Sequence, residues 1–454
     1  TLNERGLRGR FWETYLRPPI DRFQEKLQRL SAIEKSYFYA VYNFLTKELY
    51  TSKSGDVDYE GRTGAASLWL STLAEKCEAG EIIYNLRIRE NHAADEHKAY
   101  LLLVRSDFEE KELPETVADN DIQNVLPNFR QGDAIILYER NCGTDNVTNK
   151  MVFKGNIEHL TDHEISIRLR ATQQNPSVLP ADSLYAIEHD TMDTTFRSMY
   201  QGLYAYLSAT QERRDLLLAQ RPPKFDESLD VSQAKDDFTR VALKAQAAQD
   251  YFLLIGPPGT GKTSCALKKM VETFHADKGV QILLLSYTNR AVDEICKSLA
   301  SIRPAVDFIR VGSELSCDET YRTHLIENEL ASCNRRSEVY ERIRSCRIIV
   351  GTVATISGKP ELFRLKHFNV AIIDEATQIL EPQLLGILCA RGEEGGNAID
   401  KFILIGDHKQ LPAVVLQSSE QSAIYEESLM SIGLTNLKDS LFERLYRNCT
   451  ARQS

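Results

Sequence analysis

Residues Tyr251 to Ile255 form an unbroken apolar run, followed at once by Gly256-Pro-Pro-Gly-Thr-Gly-Lys-Thr263 and then by helical sequence to Phe274. A run without polar alternation cannot show one face to water, so it belongs to a strand covered on both sides. The glycines and prolines force a sharp turn, and the helix beyond packs back over the sheet. The same unit recurs downstream. Gln281 to Leu285, Phe308 to Val311, Arg347 to Val350, Val370 to Ile373 and Lys401 to Ile405 are short apolar runs separated by helical stretches. This alternation predicts an α/β domain over residues 225–454, a parallel sheet wrapped by helices, with a polar helical insert at 313–345.

The loop itself satisfies the phosphate-binding pattern, and its strand–loop–helix context is the one that pattern requires. Its glycines let the backbone wrap closely, so that amides and the helix N-terminus face phosphates. Gly256, Pro257, Pro258, Gly259, Thr260, Gly261, Lys262 and Thr263 are therefore expected to hold ATP. In such a site Lys262 reaches the β- and γ-phosphates and the Thr263 hydroxyl ligates Mg²⁺. A second element, Val370-Ala-Ile-Ile-Asp-Glu-Ala-Thr-Gln378, delivers two carboxylates at a strand end. Asp374 is expected in the Mg²⁺ shell and Glu375 beside the attacking water, on a strand neighbouring the one that carries the loop. A third, Phe402-Ile-Leu-Ile-Gly-Asp-His-Lys-Gln410-Leu-Pro412, places Gln410 where it can sense the γ-phosphate. A glycine-rich turn or a solvated acidic turn would be the plain reading of any one of these. Core packing does not account for five loops, at 256–263, 286–289, 351–352, 374–378 and 406–410, all following strands of one sheet.

Upstream the periodicity differs. Residues 1–80 read as a helical stalk: Ser31-Ala-Ile-Glu34 is a capping box, followed by Phe38, Val41, Tyr42, Leu45 and Leu49 at helical spacing, with a second helix expected over Ala65 to Lys76. Between 81 and 190 the period falls to two. Ile82 to Tyr84, Tyr100 to Val104, Ala134 to Tyr138, Met151 to Ile157 and Ile165 to Leu169 are short strands, which suggest a small β-barrel. Residues 191–224 form a stalk helix and linker. Phe196, Met199, Tyr200, Leu203 and Leu207 are its core-packing stripe, and Arg221-Pro-Pro-Lys224 ends it.

The 454 residues exceed one ordinary core, and the net charge of −10 argues against a non-specific basic coat on nucleic acid. A narrow groove remains compatible with that charge, because backbone amides and hydroxyls also bind phosphates. Nine cysteines lack any CxxC pair, which fits a reducing interior. His159 and His163 are expected as surface histidines and not a metal site. No run is long enough to span a bilayer, and no signal peptide is evident, so the expected setting is intracellular, cytoplasmic or, in a eukaryote, nuclear.

Taken together, these motifs resemble those of superfamily 1 helicases, in the 5′→3′ branch that contains the nonsense-mediated-decay helicase, senataxin and the immunoglobulin mu-binding helicase. Asp374-Glu-Ala-Thr-Gln378 and Gly406-Asp-His-Lys-Gln410 match the second and third motifs of that branch. The resemblance implies that Gln233, after Ser232, reads adenine and that Gln378 belongs to the nucleotide site. Ser286-Tyr-Thr-Asn-Arg-Ala-Val-Asp293 resembles a motif that contacts single-stranded backbone, with Tyr287 where proline is usual, and Gly351-Thr352-Val353 resembles the next strand-binding loop. Thr288, Asn289 and Thr352 are the contacts so implied. Ser440-Leu-Phe-Glu-Arg444 resembles the segment that closes a first motor domain. The family implies a RecA-like P-loop sheet preceded by a barrel on helical stalks, and a monomeric ATP-hydrolysing translocase on single-stranded DNA or RNA. The chain opens on Thr1 and few residues follow Gln410. It is therefore expected to be the front half of a motor, with the second motor domain missing and turnover weak on its own. An AAA-type remodeller and a nucleotide-gated nucleic-acid-binding scaffold are the alternatives.

Overall fold

The computed structural model describes residues 9–54, 69, 71–96, 98–105, 128–161, 163–190, 194–232, 234–407, 409 and 412–453. The chain divides into two units, one joining Thr1–Glu48 to Thr194–Ser454 and the other Leu49–Asp193.

The second unit is a closed antiparallel barrel. Its strands are β1 (Ile82–His92), β2 (Tyr100–Arg105), β3 (Ala134–Glu139), β4 (Val152–Leu160), β5 (Glu164–Leu169) and β6 (Tyr185–His189), in the order β1-β2-β5-β4-β3-β6. Alternation sends Leu101 and Leu103 of β2, and Ile165, Ile167 and Leu169 of β5, into one interior core. The run that forms β6 does not alternate, because its outward face is buried too. Glu188 there pairs with Lys76 at 2.7 Å and accepts a hydrogen bond from the Tyr138 hydroxyl at 2.6 Å. Lys76 belongs to the helix Leu73–Glu78, which Thr72 opens through a capping box with Glu75. That helix starts later than the sequence suggests, and residues 55–68 lie outside the described residues. His159 and His163 are exposed, and no cluster of metal-ligating side chains occurs among the described residues.

The first unit contains a six-stranded parallel sheet: β7 (Tyr251–Ile255), β8 (Ile282–Ser286), β9 (Phe308–Val311), β10 (Ile348–Thr352), β11 (Phe368–Ile373) and β12 (Ile399–Gly406). Side chains on one face, among them Leu283, Ile349, Ala371 and Leu404, join one core, while Ile282, Val350, Ile372 and Ile405 join another on the opposite face. This two-sided burial is what the unbroken apolar runs required. The strand order is β7-β12-β11-β8-β10-β9. The acidic strand β11 is therefore not the neighbour of β7, as expected from sequence, because β12 lies between them. Fully buried strands carry no sequence mark of their lateral order.

Helices Arg17–Gln28, Ala32–Ser54 and Thr194–Ser208 belong wholly or largely to this unit. The Ser31–Glu34 box opens the second of them, with the Ser31 amide donating to Glu34 Oε2 at 2.7 Å. The stalk helix expected to run to Arg221 stops at Ser208. Thr210 caps a separate helix, Gln211–Leu217, by accepting from the Arg213 amide at 3.2 Å. Gly202 lets Thr194–Ser208 cross the helix Glu381–Leu388 at backbone contact, since a Cβ there would lie 2.9 Å from both the Gly386 nitrogen and the Pro382 oxygen. Beneath this crossing the buried Arg444 guanidinium donates to Glu381 at 2.6 and 2.8 Å, and the Tyr37 hydroxyl donates to the same carboxylate at 2.6 Å. No helix among the described residues is long and apolar enough to cross a membrane.

Candidate functional site

Strand register gathers the loops. Gly406 stands opposite Ile255, Ile373 opposite both Leu404 and Leu285, and Thr352 opposite Ser286. The C-terminal ends of β7, β12, β11, β8 and β10 therefore finish together, and the loops that follow share one edge, where open α/β sheets bind ligands.

At the first of these ends the chain turns through Gly259 and Gly261, whose φ angles are 77° and 78°. A side chain would be strained in that region. The helix then opens on a wide turn, with the Cys265 and Ala266 amides both donating to the Gly261 oxygen at 2.9 Å. Pro257, Pro258, Gly259 and Thr260 are exposed, while Lys262 and Thr263 are half-buried. The Lys262 ammonium donates to the Gly256 carbonyl, folded back over the loop.

The Thr263 hydroxyl donates to Asp374 Oδ2 at 2.5 Å, so loop and acidic strand meet although β12 separates their strands. Asp374 Oδ1 accepts from the Glu375 amide at 2.9 Å, and the Ser286 hydroxyl donates to Glu375 Oε2 at 3.4 Å. Burial pushes the Asp374 carboxyl above its usual range, with the Thr263 hydroxyl and the Glu375 amide pulling the other way. Burial, and then the charge of Asp374, raises Glu375 as well. Glu375 adopts φ 55°, a left-handed conformation that costs a non-glycine residue about 1–3 kcal/mol. Gln378 closes this turn, its amide donating to the Glu375 oxygen at 3.0 Å. A hydroxyl and a carboxylate within hydrogen-bond distance, beside a phosphate-shaped loop, are the oxygen donors that fit Mg²⁺.

On the other loops the structure adds a role that sequence did not suggest. Thr288 caps the helix Asn289–Ala300 by accepting from the Ala291 amide at 3.1 Å. Thr352 caps Val353–Ser357 by accepting from the Thr355 amide at 3.1 Å and bonds the Thr355 hydroxyl at 2.8 Å. Both hydroxyls thus already have helix-capping partners, whereas Tyr287 and Asn289 are exposed. Gln233 and Gln410 lie outside the described residues. Next to the latter, Asp407 is buried and accepts from the Lys409 amide at 2.9 Å. Sequence reasoning assigned no role to Ser286 or Ser298, yet the first bonds Glu375 and the second donates to the Thr263 oxygen at 3.3 Å. Ser286 had a signal, a polar residue ending an apolar run. Ser298 had none.

A family model described as an AAA domain matches residues 229–340 and 327–418. The DNA replication ATP-dependent helicase/nuclease DNA2 of Gallus gallus is 26% identical over 459 residues, covering 96% of this chain and 40% of that protein. The corresponding helicase/nuclease JHS1 of Arabidopsis thaliana is 30% identical over 341 residues, 70% of this chain and 23% of that protein. These matches support a superfamily 1 helicase core in this chain. Within the superfamily, these relatives of the helicase chain are replication helicase/nucleases, and not the decay, senataxin and mu-binding helicases that the motifs suggested. Among solved structures, the UvsW helicase from bacteriophage T4 aligns with it at a TM-score of 0.26 and 13% identity, over 44% of this chain and 60% of that one. The chain spans about two fifths of the length of the DNA2 relative from Gallus gallus.

Proposed function

We propose that this chain is the ATP-binding first motor domain, with its accessory barrel, of a translocase that moves 5′→3′ on single-stranded nucleic acid and works as a monomer. The observation that carries the reading is the Thr263–Asp374 contact, which joins the phosphate loop to the acidic strand end with Glu375 alongside. Lys262 would leave the Gly256 carbonyl for phosphate oxygens, and Thr263 and Asp374 would hold Mg²⁺. When bound, Mg²⁺ neutralises charge on the phosphates. Glu375, steadied by Ser286, accepts the proton of the attacking water, and burial followed by the charge of Asp374 raises its proton affinity. Gln378, with Gln233 and Gln410, completes the nucleotide contacts. Asn289 and the loops carrying Thr288 and Thr352 grip phosphates of the strand without reading bases, as a motor that passes every sequence requires.

The test compares ATP hydrolysis by the full-length protein with and without single-stranded DNA or RNA. Strong stimulation by at least one strand, independent of its sequence, is expected. Hydrolysis that no strand changes would favour a remodelling ATPase and overturn the reading.

A further inference from the structure

The chain carries 65 acidic against 55 basic residues, yet one long helical face has no acid of its own, and Glu426 bonds it only at Ser36. On the helix Ala32–Ser54, Phe38, Val41 and Leu45 point into the core, Tyr39, Tyr42, Asn43, Thr46 and Lys47 are exposed, and Lys35 is half-buried. Both acids of this helix are turned inward. Glu34 receives Arg214 at 2.7 Å, and Glu48 accepts from the Leu416 and Gln417 amides at 2.6 and 3.1 Å. The neighbouring helix Thr194–Ser208 has no acid at all and presents Arg197, Gln201 and Tyr204. Tyr39, Tyr42 and Tyr204 are 49%, 44% and 42% exposed.

These rings are held, not loose. Tyr42 lies parallel over buried Phe38, with centroids 6.3 Å apart, and meets Tyr200 at 5.9 Å. The Tyr200 and Thr46 hydroxyls bond at 3.0 Å. Tyr204 is backed by Phe23 at 6.4 Å and carries the Lys26 ammonium 4.5 Å from its ring centre. On the helix Arg17–Gln28, Asp21 pairs with Arg17 and Glu25 with Arg29.

We propose that this tyrosine face is a stacking platform for single-stranded nucleic acid, continuing the track that begins at the sheet edge. Ring faces stack on any base, and the cations Lys35, Lys47 and Arg197 beside them suit a polyanion. The position fits a continuous path, because the helix opened by Thr352 packs against Thr194–Ser208, and Glu48 fastens the segment that follows β12. The inference rests on the function proposed above.

The test uses the chain itself with a long fluorescent oligo-deoxythymidine and with the same oligomer carrying photoreactive 5-iodouracil. Joint Tyr39→Ala and Tyr42→Ala substitution, or Tyr204→Ala, should weaken binding about tenfold. Phenylalanine at the same positions should keep parental affinity, with nucleotide affinity and melting temperature unchanged throughout. Crosslinks should fall within residues 35–47 or 197–204. Alanine variants that bind like the parent, or crosslinks confined to the sheet-edge loops, would overturn the platform and leave the translocase reading standing. A parent that binds no strand would overturn the platform, while the full-length hydrolysis assay still decides the translocase reading. A parent that self-associates, with monomeric alanine variants, would make the face a contact between copies and sink the proposal.

Discussion

In the proposed nucleotide site four side chains at the sheet edge would divide the labour: Lys262, Thr263, Asp374 and Glu375. Glu375→Gln keeps the shape and hydrogen bonding of the side chain but removes the base. In the full-length protein it should retain ATP binding while hydrolysis falls at least about 100-fold, as measured by phosphate release. Parental turnover would remove Glu375 from the mechanism. The placement of these four residues was legible, because each lies at a fixed distance from an apolar run; their roles are proposals. The caps at Thr288 and Thr352 were not, because capping depends on where a helix begins, which sequence places only to within a few residues. If they also grip the strand as proposed, a substitution there removes a cap as well as a contact. Thr352→Ala should cost about 1 kcal/mol of stability through the lost cap, and Thr352→Ser should restore it. Equal melting temperatures for the two variants would show that the cap contributes nothing.

Helices and strands were legible to the extent that they obey a period. All six parallel strands come from apolar runs read from sequence, within a residue or two at most ends. The barrel strand Tyr185–His189 was not read as a strand, because a helix covers its outer face and erases the alternation. The insertion of β12 between β7 and β11 was hidden for a related reason, since neither face nor edge of a buried strand marks its neighbours. At the helix crossing, Gly202→Ala places a methyl against backbone and should destabilise by about 1–3 kcal/mol, read as a lower melting temperature. An unchanged melting temperature would mean that the helices can part without loss. Arg444→Ala leaves the Glu381 carboxylate buried with Tyr37 and should cost about 3–5 kcal/mol, whereas replacing both partners with Met and Leu should cost far less. If the double replacement is as costly as the single one, the stranded charge is not the cause.

For the molecule as a whole, the helices before Glu48 and after Thr194 fall in the same unit as the parallel sheet, tied to it through Glu381, Arg444 and Glu34. Sequence treated them as separate stalks, because burial on one side of an amphipathic helix does not say which partner covers it. Everything proposed for this assembly depends on phosphates binding at the loop 256–263. The direct measurement is titration of the 454-residue chain with a fluorescent ATP analogue in the presence and absence of Mg²⁺, for the parent and for Lys262→Ala. The parent should show one saturable, Mg²⁺-strengthened site, and Lys262→Ala should weaken it at least about tenfold, as loss of a charge-assisted phosphate contact predicts, at an unchanged melting temperature. Equal affinity in a folded Lys262→Ala variant would place the nucleotide elsewhere and contradict the account.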